Sequence, residues 1–439
     1  MTPRPTGRRA ANIQRSDVYC PLLQPQRLHL LLIHQNFPGQ FRDLAPAWLQ
    51  RGHRITAVGS TPLPPAWVQP IQDLGTFWFA RYTTVGCDNA GLALEQKLRQ
   101  LIKQHGLRPD LVIAHSGWGE ALPVKRLWPQ TPLVVYPELW GSARALGEGY
   151  DPLQPPLTPH QRLLVRHQNR LAARALTQAD AAVVPTRFQR DSFPQRWRQG
   201  IAVIHEGVDC QRLQANAAAN LCLTDGTVLT RQQQVISYVS RAFEPLRGLH
   251  TFLAALPPLL RRNPQLQVVM AGGSGTPYSL PGHQRGPLDQ QLEQLPQDFD
   301  LSRLHRLGAM TLDQLSALSQ ISRAHTYLTY PYALSWSVLE AMACEAPVVG
   351  NGDGPLDDLI EPEHNGLLVD FNSPEQLTAS IDRLLNSETL QQRLGQAARQ
   401  TVMQHYNLKT AVERYELLLL QLVAQCQSAS QRSRRANTS

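Results

Sequence analysis

A strand, a turn and a short helix are encoded by Tyr330-Pro-Tyr-Ala-Leu-Ser-Trp-Ser-Val-Leu-Glu340-Ala-Met-Ala-Cys344-Glu-Ala-Pro-Val-Val349-Gly. The strand is expected to end at Tyr330, and the helix to start near Ser337. The first backbone N–H groups of a helix have no partner within it. We therefore expect those of Ser335, Trp336 and Ser337 to point outward at the carboxyl edge of a sheet. Anions bind at that edge in open α/β folds, so the stretch predicts an anion site.

Glu340 lies on the first turn of the predicted helix and faces the same crevice. A carboxylate at this position can accept two hydrogen bonds from the diol of a ribose. The alternative is a surface residue that the positive end of the helix dipole favours. The spacing alone leaves both interpretations open.

A strand, a loop and a helix are also predicted by Ser237-Tyr-Val-Ser-Arg241-Ala-Phe-Glu-Pro-Leu-Arg247-Gly-Leu-His-Thr-Phe-Leu-Ala-Ala255. Arg241 and Arg247 lie on the loop, where two cations can neutralise a diphosphate. The alternative is that both arginines pair with acids on the surface.

Two segments of the N-terminal half place residues that can contact a ligand at or just after the end of a predicted strand. Ile33-His-Gln-Asn-Phe-Pro-Gly-Gln-Phe41 opens a helix, so Gly39 is expected where backbone approaches a ligand closely. Asp110-Leu-Val-Ile-Ala-His115-Ser-Gly-Trp-Gly119 ends a strand with His115. A lone glycine turn is weak support for a site, and a histidine after a buried strand more often makes structural hydrogen bonds.

Short β-branched or leucine-rich runs alternate with longer amphipathic stretches from Arg27 onward. This alternation is typical of βαβ units and of a parallel sheet covered on both faces. An irregular stretch at 205–233 interrupts it, which marks a domain boundary. Strands are predicted at 28–33, 55–58, 111–114, 133–135, 181–184 and 201–204, and then at 235–239, 266–270, 305–307, 326–328 and 348–349.

The sequence therefore predicts two Rossmann-like, doubly wound α/β domains at 27–208 and 209–407. Long helices are predicted at 388–405 and 408–425. Residues 1–26 are predicted to be a disordered leader and residues 427–439 a disordered tail. A Gly-, Pro- and Gln-rich insertion between Gly272 and Phe299 is predicted to be a surface loop.

Composition narrows the classes of function. The longest apolar runs are far below the ~18 residues that span a bilayer, so no transmembrane helix is predicted. The six cysteines show no C-x-x-C pair and no histidine at zinc-ligand spacing, which argues against a disulfide framework or a structural metal and fits a reducing compartment. No module of interleaved aromatic and basic residues suggests nucleic-acid binding.

Charge is distributed unevenly along the chain. Residues 1–205 contain 24 Lys and Arg against 12 Asp and Glu, a net charge of +12, and residues 206–439 contain 18 against 22, a net charge of −4. The basic half either faces an anionic surface or acceptor, or carries its arginines on solvated helix faces.

The segment around Glu340 resembles the donor-site signature of family 4 (group 1) retaining glycosyltransferases, which have the GT-B fold. That signature is Pro-Ser-x-x-Glu-Gly-Phe-Gly-x-x-x-x-Glu-Ala-Met-Ala-x-Gly-x-Pro-Val-Val, and its second half matches Glu340-Ala-Met-Ala-Cys-Glu-Ala-Pro-Val-Val. The arginine loop is similar to the family's Gly-Arg-Leu-x-x-x-Lys-Gly segment. Arg247 takes the place of the lysine, which keeps the charge and adds a planar fork.

Other matches follow in the family's order over residues 28–425. The segment His-Gln-Asn-Phe-Pro-Gly-Gln-Phe resembles the N-terminal domain of a bacterial subgroup, and the segment that ends in His115 matches the family's Asp-x-Val-x-x-His. Gly272 and Gly308 follow strands where the family has its nucleotide-base pocket.

The resemblance implies two domains that face each other across a cleft, with the acceptor on the N-terminal side and helix 408–425 packed back on that domain. It implies that Arg241 and Arg247 bind the donor's diphosphate and that Glu340 binds its ribose. His115 is expected to contact the donor sugar or the acceptor from the cleft. Donor contacts are also implied for Gly39, Gly272, Gly308, Ser335, Trp336 and Ser337.

The first half of the signature departs from the family. Tyr332 stands where a glutamate contacts the donor sugar, and Ala333 and Ser335 replace two glycines. Sugar recognition must then use other groups, such as the backbone of residues 333–336 and His115. The substitution keeps open a non-catalytic or epimerase-like protein that binds nucleotide sugar.

The implied reaction moves a sugar from a nucleotide-diphospho-sugar to a glycan, lipid or small-molecule acceptor with retention of configuration. Arg241, Arg247 and the helix start would stabilise the departing diphosphate without a metal or cofactor. The expected location is the cytoplasm. Peripheral contact of the basic half with an anionic membrane is a further expectation, and no nucleic-acid partner is expected.

Overall fold

The computed structural model describes residues 27–436 except for residues 72, 84–89, 276 and 281. The predicted leader at 1–26 and residues 437–439 lie outside the described residues. The chain divides into two compact units. The first comprises residues up to Trp140, Val165–Gly207 and residues from Lys409 onward, and the second comprises Gly141–Leu164 and Val208–Leu408.

The first unit is built on a seven-stranded parallel sheet in the order β3-β2-β1-β4-β5-β6-β7. Its central strand β1 pairs with both β2 and β4 and is buried along its whole length, which explains its unbroken apolar run. The strands are β1 His29–Ile33, β2 Arg54–Gly59, β3 Phe77–Arg81, β4 Leu111–His115, β5 Leu133–Tyr136, β6 Ala181–Val184 and β7 Ile201–Val203.

Helices connect these strands, as parallel pairing requires. They are α1 Leu44–Gln50, α2 Pro65–Val68, α3 Ala90–His105, α4 Val124–Leu127, α5 Pro159–Gln178, α6 Arg187–Ser192 and α7 Gln195–Arg198. Residues of α5 up to Leu164 are part of the second unit.

The second unit contains a six-stranded parallel sheet in the order β12-β11-β10-β13-β14-β15 and a separate β8–β9 hairpin. The strands are β8 Asn220–Cys222, β9 Val228–Thr230, β10 Gln234–Ala242, β11 Leu266–Gly273, β12 Leu304–Leu307, β13 Ala324–Tyr327, β14 Val348–Asn351 and β15 Leu367–Val369. The helices are α8 Leu249–Arg262, α9 Leu288–Glu293, α10 Leu312–Ile321, α11 Trp336–Ala343, α12 Pro374–Leu385 and α13 Glu388–His405.

Short 3-10 helices and one long terminal helix complete the described chain. The terminal helix, α14, is Leu408–Ala436, and no helix of the described residues is long and apolar enough to cross a membrane. The 3-10 helices are Gly39–Phe41, Gln69–Ile71, Arg144–Leu146, Pro245–Arg247, Leu301–Arg303 and Pro355–Asp358.

The two parallel sheets confirm the predicted doubly wound α/β class. The terminal helix differs from the prediction, because α14 continues beyond residue 425 to Ala436 although disorder is predicted from Gln427. Its last residues are rich in Gln, Arg, Ala and Ser and contain no glycine or proline, so nothing in them stops a helix.

Three further features differ from the sequence prediction. The insertion after Gly272 contains α9 and the buried side chain of His283, so it is more than a surface loop. Residues 141–164, predicted in the N-terminal domain, belong to the second unit. The hairpin β8–β9 lies within the irregular stretch 205–233, where the signal for it is Asp225-Gly226 at a turn with φ of +87° at the glycine.

Gly248 provides a test of the packing around the candidate site. Its φ of +65° is left-handed, and a Cβ atom there would lie 2.5 Å from Leu328 Cβ. Gly149 has a similar φ of +70° but nothing within 4 Å of such an atom, so it isolates the backbone strain. We expect Gly149→Ala to lower the free energy of unfolding by about 1 to 2 kcal/mol. Gly248→Ala should lower it by about 3 kcal/mol or more, because overpacking adds to the strain.

Denaturant unfolding of both variants checks this expectation. Equal losses of stability in the two variants would contradict the packing described around Gly248.

Candidate functional site

The candidate site of the second unit lies where the strand order changes direction, between β10 and β13. Ligands of doubly wound folds bind beside the carboxyl ends of the strands at this point. β10 leads through Arg241 into the 3-10 helix Pro245–Arg247. β13 ends at Tyr327 and leads through Thr329 to α11. The fold therefore brings the predicted arginine loop and the predicted helix start to one edge of the sheet.

Tyr327 joins these two predicted elements. Arg247 Nη1 donates to Tyr327 Oη at 2.9 Å and to Thr329 Oγ1 at 2.9 Å. The same Tyr327 oxygen accepts the backbone N–H of Ser335 at 2.9 Å. The arginine is thus fixed relative to the start of α11 by one buried hydroxyl group. Sequence reasoning missed Tyr327 and Thr329, although hydroxyl side chains at the end of a central strand were a signal that could have found them.

The start of α11 corrects one expectation. Ser335 is the N-cap, and its Oγ accepts the N–H of Ser337 at 3.4 Å. Its own N–H is used by Tyr327. The prediction that the N–H groups of Ser335 and Ser337 point outward without partners is therefore wrong, because serine is a strong N-cap. The positive end of the helix dipole still lies beside Arg247.

Arg241 lies near an aromatic pair. It is exposed at the end of β10, and its Nη1 donates to Tyr278 Oη at 2.8 Å. The Tyr278 ring lies 6.0 Å from the half-buried ring of Tyr332. Within the described part of the chain, neither Arg241 nor Arg247 forms an ion pair with an acid, so the alternative of surface ion pairs is not observed.

Glu244 holds the Tyr278 segment against the arginine loop. Its side chain is completely buried, and its Oε2 accepts the N–H groups of Tyr278 at 3.0 Å and Ser279 at 2.8 Å. Ser279 Oγ in turn accepts the N–H of Leu246 at 3.0 Å. A carboxylate so bonded fixes both segments, and sequence reasoning did not single it out.

Glu340 lies on the second turn of α11 and is buried, not on the first turn as predicted. It lines a small pocket together with Ser337, Ser319 and His325. The alternative of an exposed residue favoured by the helix dipole is therefore wrong. The pocket combines these polar groups with the apolar side chains of Leu213, Val239, Leu312 and Leu315.

The two predicted glycines of the second unit differ in their surroundings. A Cβ atom at Gly272 would lie 2.3 Å from the carbonyl oxygen of Ser240, so close packing of β10 and β11 requires glycine there. Gly308 is exposed, and nothing lies within 4 Å of such an atom. Packing explains Gly272 and gives no reason for Gly308.

His115 and Gly39 lie near each other in the first unit. His115 ends β4, next to β1, and its ring centroid lies 4.9 Å from that of His34. A Cβ atom at Gly39 would lie 2.5 Å from the His34 ring, so Gly39 allows this packing. Gly39 therefore approaches a histidine of the protein itself.

The hydrogen bonds of His115 define which nitrogen carries the proton. Its Nδ1 accepts the N–H of Gly117 at 3.1 Å, so Nε2 is protonated in the neutral ring. That Nε2 lies 3.4 Å from a carboxylate oxygen of Glu138, a residue with an unusual φ of +57°. Histidine 115 is therefore arranged to donate a hydrogen bond, and sequence reasoning missed Glu138.

A second carboxyl group lies close to His115 in sequence. Glu120 is completely buried, and its burial raises its pKa. Tyr82 donates to Glu120 Oε1 at 3.2 Å. Buried carboxyl groups with raised pKa values cluster at functional sites, so Glu120 joins His115 as a candidate of the first unit.

Two groups of residues have side chains of the kinds that bind metals. Asp151, His250 and His283 bring one ligand atom each to within 4.8 Å of one another. His283 Nδ1, however, accepts the N–H of Arg285 at 3.3 Å, so its Nε2 carries the proton. A metal at Nε2 requires the opposite tautomer, with the other nitrogen donating. The group is thus arranged as a hydrogen-bond network.

The other group is the acidic pair of Asp298 and Asp300. Carboxylates of this kind can hold a Mg²⁺ that binds phosphates. Asp298 pairs with Arg261 at 3.5 Å, and Asp300 pairs with Arg303 at 3.0 Å. Both acids are thus already engaged with arginines at the surface.

Two protein-family models match the chain. Residues 79–213 match the glycosyl transferase family 4 group, and residues 227–401 match the glycosyl transferases group 1. A D-inositol 3-phosphate glycosyltransferase of Salinispora tropica is 28% identical over 232 residues, which is 51% of this chain and 45% of that protein. The matches to the first curated relatives span 34, 45 and 51% of those proteins.

Solved structures resemble the chain over most of its length. Sucrose-phosphate synthase from Thermosynechococcus elongatus matches with a TM-score of 0.69 at 18% identity. The match covers 91% of this chain and 100% of the synthase chain. HepE of Anabaena, solved in complex with UDP-glucose, matches with a TM-score of 0.66 at 17% identity. The match covers 92% of this chain and 100% of the HepE chain. The chain carries a glycosyltransferase group 1 domain preceded by a family 4 domain, and its two Rossmann-like domains have the GT-B fold.

The ring of His325, which lines the same pocket as Glu340, should make the stability of the fold depend on pH. Burial lowers the pKa of His325 to about 4. Above pH 6.5 both the folded and the unfolded chain hold this ring neutral. As pH falls towards 4 the unfolded chain takes up the proton first, so this ring destabilises the fold by about 1.4 kcal/mol per pH unit at most.

The variant His325→Asn removes the titrating ring and retains a polar group for Ser237, whose Oγ lies 2.9 Å from the ring. We expect the melting temperature of the wild type to fall more steeply between pH 6.5 and 4 than that of the variant. Parallel slopes would show that His325 is not held neutral by burial.

Proposed function

We propose that this chain is a glycosyltransferase that takes its sugar from a nucleotide-diphospho-sugar. The single observation that carries the proposal is the contact of Arg247 with Tyr327, which also accepts the N–H of Ser335 at the start of α11. A fixed guanidinium beside a helix N-terminus is an arrangement that binds phosphate groups. The group 1 glycosyltransferase domain contains all of these residues.

In the proposed reaction the bond between the sugar and the diphosphate breaks, and negative charge develops on the departing phosphate. Arg247 and the dipole of α11 stabilise that charge without having to move, since Tyr327 and Thr329 already hold the arginine. Arg241 is exposed and supplies a second cation. The transfer proceeds in this proposal with retention of configuration and without a metal.

Other residues of the second unit are proposed to bind the ribose, the diphosphate and the base of the donor. Glu340 is proposed to accept hydrogen bonds from the ribose, with Trp336 and Ser337 at the diphosphate and Gly272 and Gly308 near the base. Tyr332 stands in the place of the family's sugar-binding glutamate, and its ring lies 6.0 Å from that of Tyr278 at an angle of 44°. We propose that it contacts the sugar with its aromatic face and its hydroxyl group. Because HepE has been solved with UDP and UDP-glucose, uridine donors are the first to test.

The first unit is proposed to serve the acceptor, a glycan or a lipid-linked acceptor. His115 is proposed to contact a hydroxyl group of the donor sugar or the acceptor, which would replace Glu138 as the partner of its Nε2. Gly39 acts in this proposal indirectly, by leaving room for the His34 ring. The net charge of +12 in residues 1–205 supports peripheral contact with an anionic membrane from the cytoplasmic side.

Donor binding is tested by thermal shift with UDP-, GDP- and ADP-sugars. One class of nucleotide should raise the melting temperature of the wild type, and chelation of divalent cations should leave that shift unchanged. Arg247→Ala should abolish the shift and Arg241→Ala should reduce it. Arg261→Ala is the matched control, because Arg261 is an exposed arginine of the same unit that pairs with Asp298.

Two outcomes would contradict the proposal. The proposed diphosphate site would be wrong if no nucleotide sugar raised the melting temperature of the wild type. It would also be wrong if the Arg247→Ala variant showed the full wild-type shift. Donor binding without hydrolysis or transfer over a broad panel of acceptors would instead favour a protein that binds nucleotide sugar without turnover.

A further inference from the structure

A buried carboxylate in the second unit accepts three hydrogen bonds and also faces a histidine nitrogen. Asp151 belongs to the segment Gly141–Leu164 and is only 1% exposed. Its Oδ1 accepts the N–H of Leu153 at 2.8 Å. Its Oδ2 lies 2.6 Å from the Tyr330 hydroxyl, 3.1 Å from His283 Nε2 and 3.4 Å from His250 Nε2.

Each partner of Oδ2 belongs to a different part of the candidate donor site. Tyr330 begins the turn that carries Tyr332 and leads to α11. His250 is the second residue of α8, just after Arg247 and Gly248. His283 follows the segment whose Tyr278 contacts Arg241.

These segments also contact one another. The N–H of Tyr330 donates to the carbonyl oxygen of Leu246 at 2.8 Å, which ties the turn before α11 to the arginine loop. The N–H of Gln284 donates to the carbonyl oxygen of Leu153 at 3.1 Å, which ties the His283 segment to the segment of Asp151. One carboxylate therefore lies at the junction of the three segments.

We propose that Asp151 is a positioning residue of the donor site, which sets the relative placement of the arginine loop, the Tyr278 segment and the turn before α11 without touching the donor. The inference rests on the proposed function, because the affinity for a nucleoside diphosphate is the property that this placement controls.

The charge of Asp151 is essential to this role. Burial opposes its ionisation, but the hydrogen bonds and charges of His283, His250 and Tyr330 outweigh burial and lower its pKa. Burial lowers the pKa of His250 to about 4, so at neutral pH this ring is a neutral donor. An ionised oxygen can accept both Tyr330 and His283 and attracts the His250 N–H 3.4 Å away, whereas an amide at this position would direct its own N–H groups at some of these partners.

Other contacts hold the segment of Asp151 in place independently of its carboxylate. Asn351 Nδ2 donates to the Tyr150 hydroxyl at 2.9 Å, and Asn372 Nδ2 donates to the Tyr150 carbonyl oxygen at 2.9 Å. The Tyr150 ring also packs 5.2 Å from that of Phe371. An Asp151→Asn substitution should thus leave the segment attached and change only the junction.

The experiment measures binding of a nucleoside diphosphate by calorimetry well below the melting temperature, together with kcat and KM for the donor. Asp151→Asn should weaken binding about tenfold or more and raise the KM for the donor by a similar factor, with a much smaller change in kcat. Asp353→Asn is the matched control, since Asp353 is exposed, pairs with Arg144 of the same segment, and has a φ of +61° that asparagine tolerates. It should bind as the wild type does.

Tyr330→Phe is a second variant that removes only one donor and retains the buried ring. It should weaken binding in the same direction by a smaller factor. If Asp151→Asn melts earlier but binds the nucleotide with wild-type affinity, Asp151 is merely structural and the inference is overturned. If Asp151→Asn fails to fold, wild-type affinity in Tyr330→Phe overturns it instead. A wild type that binds no nucleoside diphosphate rejects the proposed function itself.

Discussion

The hydroxyl group of Tyr327 is the point on which the candidate donor site depends. It accepts hydrogen bonds from Arg247 and from the backbone of Ser335, so it couples a guanidinium to the positive end of α11. This coupling occurs at the point where the strand order of the second sheet changes direction, because β10 and β13 are neighbours there. The doubly wound topology thus determines which two loops can share one buried oxygen.

Two buried carboxylates extend this arrangement outward. Glu244 accepts backbone N–H groups of the Tyr278 segment. Asp151 accepts side-chain hydrogen bonds from Tyr330 and His283 and lies 3.4 Å from His250. Within the described residues, neither carboxylate forms an ion pair with Arg241 or Arg247. Buried acids that accept several hydrogen bonds rigidify their surroundings at a cost in desolvation, which an enzyme site can use for preorganisation.

The sequence predicted those features that depend on local pattern. Strand β1 is recognisable because burial on both faces produces an almost unbroken apolar run, and Arg247 and Ser335 lie in the loops that follow β10 and β13. Glu244 and Asp151 could not be predicted in the same way, since their partners lie far away in sequence and no periodicity records a tertiary hydrogen bond. The burial of Glu340 and the N-cap of Ser335 were missed because the predicted helix began too late by one residue.

The central claim is that Arg247 and the start of α11 bind the diphosphate of a nucleotide donor. A crystal structure of the protein with a bound nucleoside diphosphate is the most direct test. We expect phosphate oxygens within hydrogen-bond distance of Arg247 and of the backbone at Trp336, with Tyr327 still bonded to the arginine. A diphosphate bound elsewhere in the second unit, with Arg247 directed only at Tyr327 and Thr329, would contradict it.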